Sequence, residues 1–264
     1  MLGSKDEVPG SASSRTKIRS AMPDILHLQN TRTESKFRKC VTGRLLQSLG
    51  FMVFWVAVLF GSAGTVHWLR GWICAVTYLV TMATLGIVIW RVNPELFAAR
   101  ANWRHRDTMP FDKIILPLYL PLTIAQPAIA ALDAVRYRWS SMPFWTVYAG
   151  LALFVAAIFF VASPMAVNPW AEATVRIQAD RGQQVVRAGP YRFVRHPMYV
   201  GVILMGFSIA MMLGSMWALA LGAVIAALMV VRTALEDRTL RRELPGYEEY
   251  ATTVTRWRLL PGIW

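Results

Sequence analysis

Residues 198–231, MYVGVILMGFSIAMMLGSMWALALGAVIAALMVV, contain no charged side chain and are interrupted once, at Leu213-Gly214-Ser215. Apolar stretches joined by a Gly-Ser break read as a helical hairpin in a bilayer, Met198–Leu213 followed by Met216–Val231. At a rise of 1.5 Å per residue, each arm of about 16 residues is about 24 Å long. A bilayer core is about 30 Å thick, so the arms either cross with tilt or enter and return. Both ends of the hairpin lie on one side in either case.

Upstream, four more runs reach spanning length: Leu45–Ala63, Trp72–Trp90, Ile114–Leu132 and Phe144–Ala162. The third contains Pro117, Pro121 and Pro127, which predict a kinked or locally open helix. The expected fold is all-α and polytopic, with about six transmembrane segments ending in the hairpin and a cytoplasmic C-terminal region. It divides into an arm (1–44), a four-span scaffold (45–163) and a C-terminal region (164–264). Basic residues set the sides. Of 28 Lys and Arg, 25 fall in residues 1–44, 91–113, 164–197 and 232–264, and only Arg70, Arg136 and Arg138 fall in the opposite loops. The positive-inside bias then puts both termini in the cytoplasm.

That distribution also accounts for the net charge of +13 without a nucleic-acid partner. Residues 1–44 are polar and basic and predict a disordered arm near anionic membrane lipids, or a solvated tail. Residues 91–113, with Phe97, Trp103 and several arginines, read as an interfacial helix roofing a pocket or as an amphipathic connector. Cys40 and Cys74 are too few and too far apart for a disulfide framework or a zinc site. His27, His67, His105 and His196 form no HExxH pair, so no metal is expected, and neither GxGxxG nor GxxxxGK[ST] occurs. No feature specifies an oligomer.

The chemistry concentrates around the hairpin. Helical character continues from Arg232 through Leu240 to the stop at Pro245-Gly246. Arg232 and Glu236, four apart, share one helix face, either as a snorkelling ion pair or as two separate ligand contacts. His196 precedes Pro197 at the hairpin's first turn, where proline suits the helix start. A lone His there positions backbone more often than it acts as acid or base. The N–H groups of that turn favour an anionic group.

Val185-Val186-x-x-Gly189-Pro190-Tyr191-x-x-x-Arg195-His196-Pro197-x-Tyr199-x-Gly201 resembles the signature of the isoprenylcysteine carboxyl methyltransferase family. A second block agrees: Glu236-Asp237-x-x-Leu240, Gly246-Tyr247-x-x-Tyr250 and Arg258-x-x-Pro261. The resemblance covers about the last third of the chain and implies an integral membrane enzyme using S-adenosyl-L-methionine. It implies cofactor contacts at Gln183, Gln184, Val185, Val186, Tyr191, His196, Pro197, Met198, Tyr199 and Glu236. Arg232 falls at the position that orients a substrate carboxylate. The family's paired glutamates are Glu236-Asp237 here, so a contact through the second acid is in question. The activity implied is O-methylation of a carboxylate on a lipid-like or prenylated small molecule that enters from the bilayer. N-methylation of a phospholipid or another lipophilic amine is the nearest alternative. A small transporter or a non-catalytic scaffold is the alternative of another class; a transporter favours inverted repeats and helices broken at the midplane, and no repeat is evident.

Overall fold

The computed structural model describes residues 42–43, 45–100 and 105–264. The expectation for the basic arm therefore lies outside the described residues, as do Trp103 and Arg104. The described chain is helical and contains no strand. Five helices are long and apolar enough to cross a membrane: α1 (Leu45–Ala63), α2 (Leu69–Val92), α4 with its extension (Asp112–Tyr137), α5 (Trp145–Val167) and α7 (Met216–Glu243). The sixth apolar helix, α6 (Pro197–Leu213), has 17 residues. Short helices α3 (Pro94–Ala99) and α8 (Tyr247–Thr253) and two 3-10 turns, Ala179–Arg181 and Gly189–Arg192, complete the helical elements of the described residues.

The second arm of the hairpin and the helical run expected from Arg232 through Leu240 form one helix, α7, of 28 residues and about 42 Å. Two charged residues of its last turns are paired by the C-terminal tail, Asp237 by Arg258 and Arg241 by Glu248. The proline-rich helix is unbroken from Asp112 to Ala131, and the opening comes after the last proline, as a π-helical stretch at Leu132–Tyr137. Within 91–113 the only described helix is the six-residue α3, started by Pro94 and capped by the Asn93 side chain on Leu96 N. Leu96 and Phe97 of α3 are buried in a cluster with Ile89 and Met165, and Phe97 and Arg100 also line the cavity described below.

The packed core sits at the hairpin-turn end. There Trp55 and Leu59 of α1, Cys74 of α2, Ala130 of α4, Phe154 of α5, Leu213 of α6 and Ala218 of α7 form one buried cluster. Gly214, at φ +79°, ends α6, and a Cβ there would meet the Arg70 guanidinium. Ser215 caps α7 by accepting from Ala218 N at 3.0 Å and donates to the buried Asp133 at 2.6 Å. Ser140 donates to the same carboxylate through its N–H and hydroxyl, at 2.8 and 2.6 Å, so the buried acid beside the turn is well hydrogen-bonded.

Helices α5 and α6 approach closely because glycines face the contact. A Cβ on Gly201 would lie 2.7 Å from Ala157 O, and one on Gly150 would lie 2.9 Å from Ser208 O. Gly201→Val is expected to lower stability by about 1–3 kcal/mol by overpacking this seam. It should also shift the first turn of α6, and thermal unfolding in detergent against the wild type measures the loss.

Candidate active site

Toward the other end the same helices enclose a cavity of about 840 Å³, within the usual range of about 300–1,000 Å³ for cofactor and small-molecule sites. Its inner half is apolar, walled by Phe51 and Met52 of α1, Met82 and Leu85 of α2, Leu116 of α4, Met205 of α6 and Met229 of α7. Its outer half is polar and comes from the 168–197 connection, α7 and the tail. All eleven residues singled out from the sequence line this one cavity: Gln183, Gln184, Val185, Val186, Tyr191, His196, Pro197, Met198, Tyr199, Arg232 and Glu236.

The start of α6 and the middle of α7 face each other across the polar half. Tyr199 donates its hydroxyl to Glu236 in a very short hydrogen bond. The His196 ring stacks on Tyr199, with Nδ1 3.9 Å from Glu236 Oε1. Its Nε2 lies 3.3 Å from Asp237 Oδ1 and 3.3 Å from the Tyr247 hydroxyl, so the imidazole is held between neighbours. The first turn of α6, at Pro197–Tyr199, has no side-chain cap on its N–H groups. Tyr191 is aimed by Asn168, whose amide donates to its hydroxyl at 2.8 Å, and by Tyr250, which donates to its carbonyl at 2.7 Å. Burial pushes the phenols of Tyr191, Tyr247 and Tyr250 above their ordinary value, so all three stay neutral.

Arg232 does not pair with Glu236. Its Nε and Nη2 clasp Asp112 at 2.7 and 2.9 Å, and Nη2 also donates to Ala173 O at 2.9 Å. Asp112, fully buried, accepts Val175 N at 2.8 Å as well. The guanidinium carbon stands 5.2 Å from the centre of the Tyr199 ring. Only Nη1 makes no hydrogen bond to a described residue. Asp112 went unnoticed in the sequence, although a lone acid at the head of an apolar span is itself a signal.

The second acid of the pair, Asp237, points away from the cavity. It is fully buried and binds Arg195 through Nε and Nη2 at 2.7 and 3.0 Å, Arg258 Nε at 2.9 Å, and the Tyr247 hydroxyl at 3.2 Å. Burial opposes the charge of Arg195, but the hydrogen bonds from its guanidinium to Asp237 hold its pKa above the ordinary value. Backbone bonds from Arg195 N to Trp257 O and from His196 N to Arg258 O seal the tail against the head of α6. The wall formed by residues 168–182 was also missed. Glu172 is clasped by Arg176 at 3.0 and 3.2 Å and by Arg181 at 3.0 Å, and Gln183 accepts Gln178 N at 2.7 Å. These contacts join residues within a loop, and no helical or strand period announces them.

The segment from α5 to the end of α7 carries most of these contacts. Residues 145–245 match the model of the phospholipid methyltransferase family. No curated protein matches the chain. Phospholipid methyltransferases and isoprenylcysteine carboxyl methyltransferases belong to one superfamily of integral membrane methyltransferases. The match therefore indicates a membrane methyltransferase and does not single out the isoprenylcysteine branch. The phospholipid methyltransferase match stops before Tyr247, Tyr250 and Arg258, which hold the site from behind.

Proposed function

We propose that the protein transfers a methyl group from S-adenosyl-L-methionine to a lipid-like acceptor that reaches the cavity from the bilayer. The observation that carries this reading is the joining of a polar pocket, built by the two sequence blocks, to an apolar chamber between membrane helices. The residues suit the cofactor. Glu236 would take its ammonium, the uncapped start of α6 its carboxylate, and the faces of Tyr191 and Tyr199 its adenine and sulfonium. When bound, the cofactor supplies an electrophilic methyl carbon.

The chain's own residues then position and exclude water. A carboxylate acceptor is already ionised near neutral pH and needs no general base. Arg232, fixed by Asp112, offers Nη1 to one oxygen of that carboxylate, and the apolar chamber holds the chain behind it. In this reading the polar end faces the cytoplasm, the side to which the positive-inside bias assigns most basic residues.

Two observations favour a second reading, N-methylation of a phospholipid or lipophilic amine. One is the phospholipid methyltransferase match, and the other is the bidentate clasp of Asp112, which offsets the charge of Arg232. Protein in nanodiscs, supplied with methyl-labelled cofactor and either a prenylated cysteine or an amine-headed phospholipid, separates the two by which lipid takes up label. Label in neither, from a folded protein, contradicts the methyltransferase reading. Arg232→Lys keeps a cation near Asp112 but loses the fork. With a carboxylate acceptor, kcat/KM is expected to fall about 10- to 100-fold, or about 1.4–2.7 kcal/mol. Affinity for S-adenosylhomocysteine should change less than about threefold, so steady-state kinetics alongside ligand binding separates acceptor from cofactor effects.

A further inference from the structure

Two tyrosines in the apolar half of the cavity carry hydroxyls that the proposed function does not use. Tyr78 on α2 and Tyr119 on α4 both line it, among Phe51, Met82, Leu116 and Met205. Tyr78 is fixed in place: its ring stacks on Trp55, with centroids 4.7 Å apart and planes 19° from parallel, and Trp55 is buried in the core. Tyr119 lies seven residues along α4 from Asp112, about 10 Å deeper in the helix direction. Neither hydroxyl has a hydrogen-bond partner among the described residues. A hydroxyl left without a partner in apolar surroundings is destabilising, and phenylalanine fills the same volume without that cost.

We propose that Tyr78 and Tyr119 form a second polar subsite that reads a hydrogen-bond-accepting oxygen (a carbonyl, ester or ether) on the otherwise apolar body of the acceptor. The inference rests on the reading that a lipid-like acceptor occupies this half of the cavity. It adds a selection rule to that reading. The polar end fixes the reacting group, and the two phenols fix the depth of an oxygen some way down the chain. A chain with an oxygen at that depth satisfies both donors, whereas a plain hydrocarbon leaves them unpaired. Selection of this kind comes chiefly from the cost of unpaired site groups against the wrong ligand.

The test uses long-chain S-alkyl cysteines of equal length, either plain or carrying one ketone stepped along the chain. They compete with a fluorescent fatty amphiphile for the full-length protein in nanodiscs. One ketone position is expected to bind about 10-fold tighter than the plain chain, the fold-change of about 1.4 kcal/mol. The Tyr78→Phe/Tyr119→Phe double variant should reduce that ratio to about 1, and each single variant should give an intermediate value. Plain-chain binding at least as tight as in the wild type, and a melting temperature no lower than the wild type's, show that the variants fold. The subsite is overturned if no ketone position is preferred, if the double variant keeps the preference, or if neither chain binds. S-adenosylhomocysteine binding in the same preparations keeps the two readings apart. Ketone preference without cofactor binding sinks the methyltransferase reading alone, and cofactor binding without ketone preference sinks the subsite alone.

Discussion

Glu236→Ala is expected to abolish useful binding of S-adenosylhomocysteine while leaving the protein folded. Glu236 touches the fold only lightly. Its partners are the Tyr199 hydroxyl and the edge of His196, and its side chain stays 20% exposed beside the cavity. A charge-assisted contact to a ligand ammonium is worth about 1.5–3 kcal/mol, and its loss leaves that ammonium partly buried and unpaired. A weakening of about 100-fold follows, or about 2.7 kcal/mol. The measurement is ligand-induced stabilisation. At a ligand concentration of 100 times the wild-type Kd, the wild type gains about 2.7 kcal/mol and the variant only about 0.4 kcal/mol. A variant that is stabilised as strongly as the wild type would remove Glu236 from the site.

One residue further on, Asp237→Ala should do the opposite and break the fold rather than the ligand contact. Asp237 is fully buried, and the Arg195 side chain paired with it is 1% exposed. Arg258, His196 and Tyr247 converge on the same carboxylate. Removing one partner of such a cluster strands a buried guanidinium and costs about 3–5 kcal/mol, a large part of a typical stability of about 5–15 kcal/mol. The tail from Leu244 to Trp264 should become open to protease, and the melting transition should fall steeply. Asp237→Asn, which keeps one acceptor oxygen, should be milder. Replacing Asp237 and Arg195 together with apolar residues of similar size should recover part of the loss, because no lone charge is then left buried. If Asp237→Ala melts like the wild type, the acid is not the post that holds the back of the site.

The contrast between these neighbours shows what the sequence could and could not say. The spacing of the apolar runs located the starts of the apolar helices to within a few residues, because burial in lipid needs a fixed length of apolar chain. The two motif blocks picked eleven residues that meet at one cavity, although 53 positions separate Gln183 from Glu236. Local periodicity misled where the partner came from elsewhere. Arg232 and Glu236 have the spacing of an i,i+4 pair, yet the arginine goes to Asp112, 120 residues away. The acidic pair looked like one unit, but successive residues on a helix point about 100° apart, so Glu236 faces the cavity and Asp237 the tail. Tyr78 and Tyr119 gave no signal at all, since tyrosine in an apolar span reads simply as bulk until the helices are assembled.

The account stands on a methyl donor held between the head of α6 and Glu236 of α7. Isothermal titration of the purified, folded wild-type protein with S-adenosylhomocysteine tests that most directly. Saturable binding at one site per chain, lost in Glu236→Ala, is the predicted result. A flat titration from wild-type protein that still melts cooperatively would contradict it.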